Sequence, residues 1–206
     1  MSKNFYHYPA WVRLWHLTNA ILFLFLIVTG FSMLYSDPDN ALVVKFQRAV
    51  SIHNVCGVLL TVSYTLFIFG NLFTSNGKHY LLNMKGLGNR LWKQGRYYTY
   101  GYFKGEESPF PVSSERKFNP LQQVSYVGVM YFALPMLFIT GWALMFPEFI
   151  LKKFLGFSGI FLTDQFHVIL GFLVVIFLFI HLYVSTMGKT PLSNFRSIVT
   201  GWQESH

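Results

Sequence analysis

The stretch "HVILGFLVVIFLFIH" (His167–His181) places two histidines at the ends of a segment with no polar side chain between them. Fourteen residues at about 100° each return to within about 40° of the start, so an α-helix presents both imidazoles on nearly one face. A rise of about 1.5 Å per residue separates them by about 21 Å along the axis. The pattern predicts a helix that carries two imidazoles on one side, at two depths.

Three further segments are equally apolar. The chain is 53% hydrophobic and only 12% charged, unlike an ordinary soluble domain. The windows without Asp, Glu, Lys or Arg are Leu14–Ser36, Ala49–Gly77, Phe118–Pro147 and Gln165–Gly188. Each exceeds the roughly 20 residues that span a bilayer core, and such lengths favour helices over barrel strands. We therefore expect an all-α integral membrane four-helix bundle, one domain over residues 1–206, with spans at about 10–35, 47–74, 119–146 and 162–187.

The basic residues predict the orientation of these spans. Of sixteen lysines and arginines, twelve fall in the two ends and in the loop 75–118, and the other four are Lys45, Arg48, Lys152 and Lys153. Basic segments are retained in the cytoplasm, so both termini and the loop are predicted to be cytoplasmic. The net charge of +8 is then a topology signal, and with no basic groove or binding module it does not indicate nucleic acid.

The long loop contains "RLWKQGRYYTYGYF" (Arg90–Phe103), in which basic and aromatic residues alternate. Aromatic rings prefer the membrane interface, and cations beside them meet anionic headgroups. We expect this segment to contact membrane lipid, with a protein-docking role as the alternative.

Four of the seven histidines lie inside predicted spans, and the topology sorts them into two pairs. His53 and His167 fall near the outer face, whereas His16 and His181 fall near the cytoplasmic face. Ionisable groups at membrane depth are functional candidates. Two neutral imidazoles on opposite faces of a planar macrocycle satisfy six-coordinate haem iron, whereas zinc needs further ligands. The single cysteine, Cys56, excludes cysteine clusters, and no C-x-x-C-H motif is present for covalent haem attachment.

Glycines accompany these histidines at helical spacing. "HNVCG" (His53–Gly57) and "HVILG" (His167–Gly171) are both HxxxG, and Gly30 follows His16 by 14 residues. A missing side chain one turn from a ligand lets a flat ring approach the backbone. The alternative is that Gly30, Gly57 and Gly171 promote helix packing in the membrane.

Three segments resemble the bacterial di-haem cytochrome b family, the membrane subunits of formate dehydrogenases, nickel–iron hydrogenases and thiosulfate reductases. They are "PAWVRLWHLTNAILFLFLIVTG" (9–30), "KFNPLQQVSYVGVMYFALPMLFITGWAL" (117–144) and "HVILGFLVVIFLFIHLY" (167–183). The resemblance covers about residues 9–187 and implies two haem b groups in a bacterial inner membrane. It also implies that the haem ligands are the four in-span histidines, in the pairing given above: His16, His53, His167 and His181.

The resemblance further implies a quinone, menaquinone or ubiquinone, at the start of span 3. Asn119 matches an asparagine of the family, whereas Pro120, Gln122 and Gln123 depart from its pattern, and a simple helix cap is the alternative role for Asn119. Arg13 and Arg48 precede His16 and His53 and are candidates for haem propionates, with topology marking as the alternative.

Together these features predict a quinone-linked electron-transfer subunit that is not catalytic alone. Its expected partner is an iron–sulfur or multihaem cytochrome c subunit on the outer face. A proton-coupled or metal transporter is the alternative, but none of the four windows contains the Asp or Glu expected of a relay. A di-iron desaturase needs clustered histidines, and here no two are closer than nine residues.

Overall fold

The computed structural model describes residues 4–37, 40–111, 113, 116–188 and 190–204. Lys3 and Lys189, which contribute to the predicted orientation, lie outside these residues. The described chain is mostly helical, and the helices are α1 Ala10–Tyr35, α2 Phe46–Phe73, α3 Leu87–Arg96, α4 Pro120–Gly128, α5 Leu134–Met145, α6 Gly159–Ser185 and α7 Ser193–Thr200. Short antiparallel strands complete it, β1 Asn4–Tyr6 with β4 Trp202–Glu204 and β2 Lys153–Phe154 with β3 Phe157–Ser158.

Four helical segments are long and apolar enough to cross a membrane: Ala10–Tyr35, Phe46–Phe73, Pro120–Met145 and Gly159–Ser185. Their surfaces retain many exposed large apolar side chains, among them Leu24, Leu66, Ile139 and Phe179. Such exposure is unfavourable in water but matches a lipid environment. The predicted all-α membrane fold with four spanning helices is confirmed. The predicted span limits and the single-domain description stay predictions.

The third spanning segment is not a uniform α-helix. Between α4 and α5 the backbone forms a π-helical turn, Val129–Ala133. Pro135 follows this turn, lacks a backbone N–H, and crowds the carbonyl of the residue four positions earlier. A wider π turn relieves that crowding, so the irregularity has a local cause in the sequence.

Contacts divide the chain into two compact units, which we describe separately. The first unit comprises Met1–Arg13, Phe69–Tyr131 and Phe177–His206. Its strands β1 and β4 pair in antiparallel register, with Tyr6 opposite Trp202. The backbone N–H groups of His7 and Tyr8 both donate to the carbonyl of Gly201, at 2.8 and 3.2 Å. The two ends of the described chain therefore lie side by side.

The segment predicted to contact lipid is helical and belongs to the first unit. It continues from α3 through a π-helical turn, Tyr97–Gly101. Trp92 and Phe103 are exposed, whereas Gln94 is buried. One side of the segment therefore packs on the protein while the other presents aromatic rings outward, as a helix at the membrane interface does.

The second unit comprises Leu14–Ile68 and Phe132–Ile176. Its apolar core includes Leu22, Cys56 and Leu60, against which Phe23, Leu26 and Phe138 pack. A buried polar contact also joins α1 to α2, because Asn19 Nδ2 donates to Ser63 Oγ at 2.8 Å. These contacts set α1 and α2 side by side and so determine which residues of α1 face His53.

Candidate metal centre

His53 projects from α2 toward a threonine–glycine pair on α1. Its Nδ1 lies 2.9 Å from Thr29 Oγ1, and the Thr29 hydroxyl donates to the carbonyl of Phe25 at 2.6 Å. Because the Thr29 hydroxyl gives its single proton to Phe25, its oxygen accepts from Nδ1–H, and Nε2 keeps its lone pair.

His167 on α6 has the same surroundings, supplied by α5. Its Nδ1 lies 2.8 Å from Thr140 Oγ1, and the Thr140 hydroxyl donates to the carbonyl of Met136 at 2.8 Å. The same reasoning leaves the lone pair of this histidine on Nε2, the form of imidazole that binds a metal.

The threonines that hold the two rings belong to a short repeat that our sequence reasoning missed. "LIVTG" (26–30) in α1 and "LFITG" (137–141) in α5 share the pattern L-x-x-T-G. The glycine of each copy lies against the histidine held by the preceding threonine, because a Cβ built on Gly30 or Gly141 lies 3.5 or 3.3 Å from Cε1 of that ring. This repeat, matched with the two HxxxG segments, is the signal that would have identified Thr29, Thr140 and Gly141.

The two imidazoles are separated by a distance that suits one metal ion between them. The ring centroids of His53 and His167 are 6.3 Å apart, with the planes at 69°. Metal–imidazole bonds of about 2.0 Å, plus about 1 Å from each nitrogen to its ring centre, sum to about 6 Å. The described residues contain no group of three or more His, Cys, Asp or Glu side chains arranged to hold a metal ion. Two imidazoles without further protein ligands suit haem iron and not zinc.

A cavity of about 550 Å³ adjoins both rings, which lies in the size range of cofactor sites. Its lining is mostly aliphatic and aromatic and includes the four glycines Gly30, Gly57, Gly141 and Gly171. A Cβ built on Gly57 or Gly171 meets no atom within 4 Å. The cavity therefore contains empty space next to the two glycines of the HxxxG segments. Its residues fit a flat apolar macrocycle held by His53 and His167.

The other two predicted ligands lie in different units and are described separately. His16 is a half-buried residue of α1 in the second unit. His181 lies on α6 in the first unit, where its Nδ1 is 3.4 Å from the hydroxyl of Tyr126 and its ring stacks on Phe177 at 5.8 Å. The predicted pairing of His16 with His181 stays a prediction.

At the start of α4, Asn119 is the helix cap. Its Oδ1 accepts from the backbone N–H of Gln122 at 3.0 Å, and Gln122 Oε1 accepts from the backbone N–H of Asn119 at 3.1 Å. This reciprocal capping box satisfies two N–H groups at the helix N-terminus. Asn119 Nδ2 also donates to the hydroxyl of Tyr98 at 2.6 Å, so both ends of its amide have partners within the protein.

Gln123, the third predicted quinone residue, ties α4 to the loop before α3. Its Nε2 donates to the carbonyls of His79 and Leu81, both at 2.9 Å. Gln122 Nε2 and Gln123 Oε1 take part in none of these bonds. The structure thus brings the three predicted amides together at one helix end and uses part of their hydrogen-bonding capacity for the fold.

Of the two arginines proposed for propionates, Arg13 contacts the backbone of α7, where its Nη1 donates to the carbonyl of Val199 at 2.5 Å. Arg48 is exposed near the start of α2 and shares a shallow surface pocket with Lys45 and Ser51. Arg48 is not among the residues that line the cavity beside His53.

Lys117 is a buried cation that sequence reasoning treated only as a topology signal. Its side chain is 5% exposed, and Nζ donates to Asn76 Oδ1 at 2.8 Å beneath the ring of Tyr8. Burial lowers the pKa of Lys117 to about 8. Within the described ranges the single ion pair joins Arg96 to Glu106, so Lys117 is held by an amide and not by a carboxylate.

Comparison with known proteins identifies relatives among membrane cytochromes. The profile of the prokaryotic cytochrome b561 family matches residues 7–201. A protein assigned as cytochrome YdhU of Escherichia coli (strain K12) is 41% identical over 98% of this chain and 75% of its own length. Two proteins assigned as Ni/Fe-hydrogenase B-type cytochrome subunits are more distant. The one from Rhodobacter capsulatus is 27% identical over 68% of this chain, and the one from Rhizobium leguminosarum bv. viciae is 30% identical over 69%. The alignments span only 54% and 60% of those two chains.

Proposed function

The chain belongs to the prokaryotic cytochrome b561 family and is a membrane b-type cytochrome of electron transfer, and on that premise we propose that it carries two haem b groups. We further propose that it passes electrons between a partner oxidoreductase subunit on the outer face and quinone near the cytoplasmic face. The observation that carries the proposal is the His53–His167 pair, with centroids 6.3 Å apart beside a cavity lined by four glycines.

His53 and His167 are the residues that would hold one haem. Haem iron supplies one-electron redox chemistry when it is bound. The protein supplies two Nε2 lone pairs facing a shared space, an apolar wall that excludes water, and glycine backbone at Gly57 and Gly171. Excluding water and holding both ligands rigid keeps the cost of reorganisation low when the charge of the site changes.

The second haem is proposed for His16 and His181. Support comes from the sequence, because His181 follows His167 by 14 residues on one helix and so shares its face. The hydroxyl of Tyr126, 3.4 Å from His181 Nδ1, supplies an outer partner for that ring, as ligating imidazoles commonly have.

The start of α4 is the proposed quinone region, with Asn119, Gln122 and Gln123 as its polar groups. Gln122 Nε2 and Gln123 Oε1 supply the donor and acceptor that hydrogen-bond a quinone carbonyl or hydroquinone hydroxyl. Asn119 acts by holding the helix end and Tyr98 in place, since both ends of its amide serve the cap and that tyrosine. Menaquinone and ubiquinone both present the carbonyls that such a site requires.

A partner oxidoreductase subunit on the outer face, of the iron–sulfur or multihaem cytochrome c class, is proposed from two observations. The hydrogenase-associated relatives are named as subunits of larger enzymes. The charge distribution, with twelve of sixteen basic residues in the ends and the loop 75–118, supports an outer position for the short interhelical segments. Both termini and the α3 segment, with its exposed Trp92, would then lie at the cytoplasmic surface of the inner membrane.

The primary test is the haem content of the purified protein. Pyridine haemochrome analysis should give two haem b groups per chain, and each of His53→Ala and His16→Ala should reduce the ratio to one by removing a different haem. His79→Ala, a histidine outside the spans, is the matched control and should retain both. A wild-type ratio of one or zero would overturn the proposal, and the absence of haem would favour a histidine-based transporter.

The quinone region is tested with Gln122→Glu. This substitution keeps the Oε1 acceptor of the capping box but removes the Nε2 donor, so the helix end should remain intact. We expect normal haem content and slower reduction of the haems by a soluble quinol analogue, whereas Asn119→Ser, which retains a capping oxygen, should change the rate less. If Gln122→Glu retains both haems and reacts with the quinol analogue at the wild-type rate, the assignment of Gln122 to the quinone region is wrong.

A further inference from the structure

The two histidines that face the cavity are held in the same way by side chains from different helices. Thr29 on α1 contacts Nδ1 of His53 at 2.9 Å, and Thr140 on α5 contacts Nδ1 of His167 at 2.8 Å. The two threonines are nearly fully buried. The same short sequence pattern produces this contact on two different helices, so both histidines beside the cavity are held in one way.

The direction of these hydrogen bonds follows from the backbone carbonyls that surround them. The Thr29 hydroxyl donates to the Phe25 carbonyl at 2.6 Å, and the Thr140 hydroxyl donates to the Met136 carbonyl at 2.8 Å. A hydroxyl has one proton, so each threonine oxygen receives the Nδ1–H of its histidine. A chain from Nδ1–H to hydroxyl to carbonyl polarises each imidazole and places its lone pair on Nε2.

We propose that Thr29 and Thr140 are paired positioning residues that hold the two imidazoles as Nδ1–H tautomers and set the redox equilibrium of the haem between them. The proposal rests on the proposed function, namely that His53 and His167 ligate one haem. An imidazole whose far N–H donates a hydrogen bond is a more basic ligand, and a more basic ligand stabilises the oxidised iron. The threonine hydroxyls should therefore lower the reduction potential of this haem.

A glycine lies beside one edge of each ring. A Cβ built on Gly141 lies 3.3 Å from Cε1 of His167, and one built on Gly30 lies 3.5 Å from Cε1 of His53. Each ring therefore has a glycine beside one edge, where an added side chain would touch it, and is bonded to a threonine oxygen at Nδ1. These contacts hold the ring planes at 69° to each other, an angle that the low-spin ferric EPR signal of a bis-imidazole haem reports.

The test compares Thr29→Val and Thr140→Val, which remove the hydroxyl and keep the shape, with Thr29→Ser and Thr140→Ser, which keep the hydroxyl. Thr65→Val is the matched control, because Thr65 makes the same backbone bond, to Thr61 at 2.9 Å, on the exposed side of α2. Redox titration and EPR of the purified holoprotein are the readouts. Loss of one outer partner commonly costs about 10- to 100-fold in metal affinity or activity, and we take the lower end of this range for the redox equilibrium. We expect a tenfold shift toward the reduced form, or about 59 mV upward for a one-electron couple.

We expect each valine variant to raise the potential of one haem and alter its EPR signal, each serine variant to restore both, and Thr65→Val to change neither. If valine variants lose the haem, retention by the serine variants still supports the hydroxyl role, and loss in the serine variants overturns it. Unchanged potential and EPR in fully loaded valine variants also overturn it. Failure of the proposed function is distinguished by His53→Ala, which would then retain every haem of the wild type.

Discussion

Gly57 and Gly171, which border empty space in the cavity, give the sharpest prediction about haem binding. A Cβ built on Gly57 or Gly171 meets no atom within 4 Å, so Gly57→Val and Gly171→Val should leave the protein fold intact. A flat ring resting on glycine backbone makes contacts at about 3.5–4.0 Å, and valine places three carbons in that space. Overpacking of this kind costs about 1–3 kcal/mol, which corresponds to about 5- to 150-fold weaker haem binding.

The matched control is Gly128→Val in α4. A Cβ at Gly128 also meets no atom within 4 Å, but Gly128 is not among the residues that line the cavity. The three valine variants should show the same helix content by circular dichroism, because valine suits a helix at least as well as glycine does. Any difference in haem content among them then reflects the position of the substitution.

Haem content should be measured by pyridine haemochrome after expression with a limiting haem supply. We expect the ratio of haem to protein to fall toward one in Gly57→Val and Gly171→Val and to stay at two in Gly128→Val. Full haem content with unchanged absorbance in both cavity variants would refute the assignment of this cavity. An equal loss in Gly128→Val would show that the effect does not depend on the cavity.

Three further outcomes follow from the structure. Gly141→Ala should perturb the haem EPR signal more than Gly30→Ala, because the built Cβ lies 3.3 Å from the His167 ring at Gly141 and 3.5 Å from the His53 ring at Gly30. Equal changes in the two spectra would contradict this. Asn119→Ala should lower the free energy of unfolding by about 1 kcal/mol through loss of the cap, and Asn119→Ser by less, as judged by thermal denaturation in detergent. Burial lowers the pKa of Lys117 from 10.5 to about 8. Between these two pH values the unfolded chain therefore binds more protons than the folded chain does. The free energy of unfolding of the wild type should then rise as pH increases from 8 to 10.5. In Lys117→Met this increase in the free energy of unfolding, measured by chemical denaturation, should be smaller by up to about 3 kcal/mol. Parallel pH profiles of the two proteins would contradict the burial of a neutralisable cation.

Several features of this protein follow from the sequence alone, because their causes are local. A run of apolar residues long enough to cross a bilayer must form its backbone hydrogen bonds within the segment, so four such runs imply four helices. Histidines are costly within such runs, so His16, His53, His167 and His181 were identifiable as candidate ligands by position. The glycines of the HxxxG segments were candidates for the same reason, since helix periodicity alone places them one turn from a candidate ligand.

Other features required the tertiary structure, because they depend on which side chain of a distant segment meets a given atom. Thr29 precedes His53 by 24 residues and Thr140 precedes His167 by 27, and no local rule pairs them. The hydrogen bond from Asn119 to Tyr98 and the contact between Lys117 and Asn76 likewise join residues that are distant in the sequence. Hydrophobicity is non-directional and determines which segments enter the membrane, whereas hydrogen bonds depend on distance and angle and form only after the helices have packed. The positions of the candidate ligands were therefore encoded locally, but the groups that contact two of them were decided by packing.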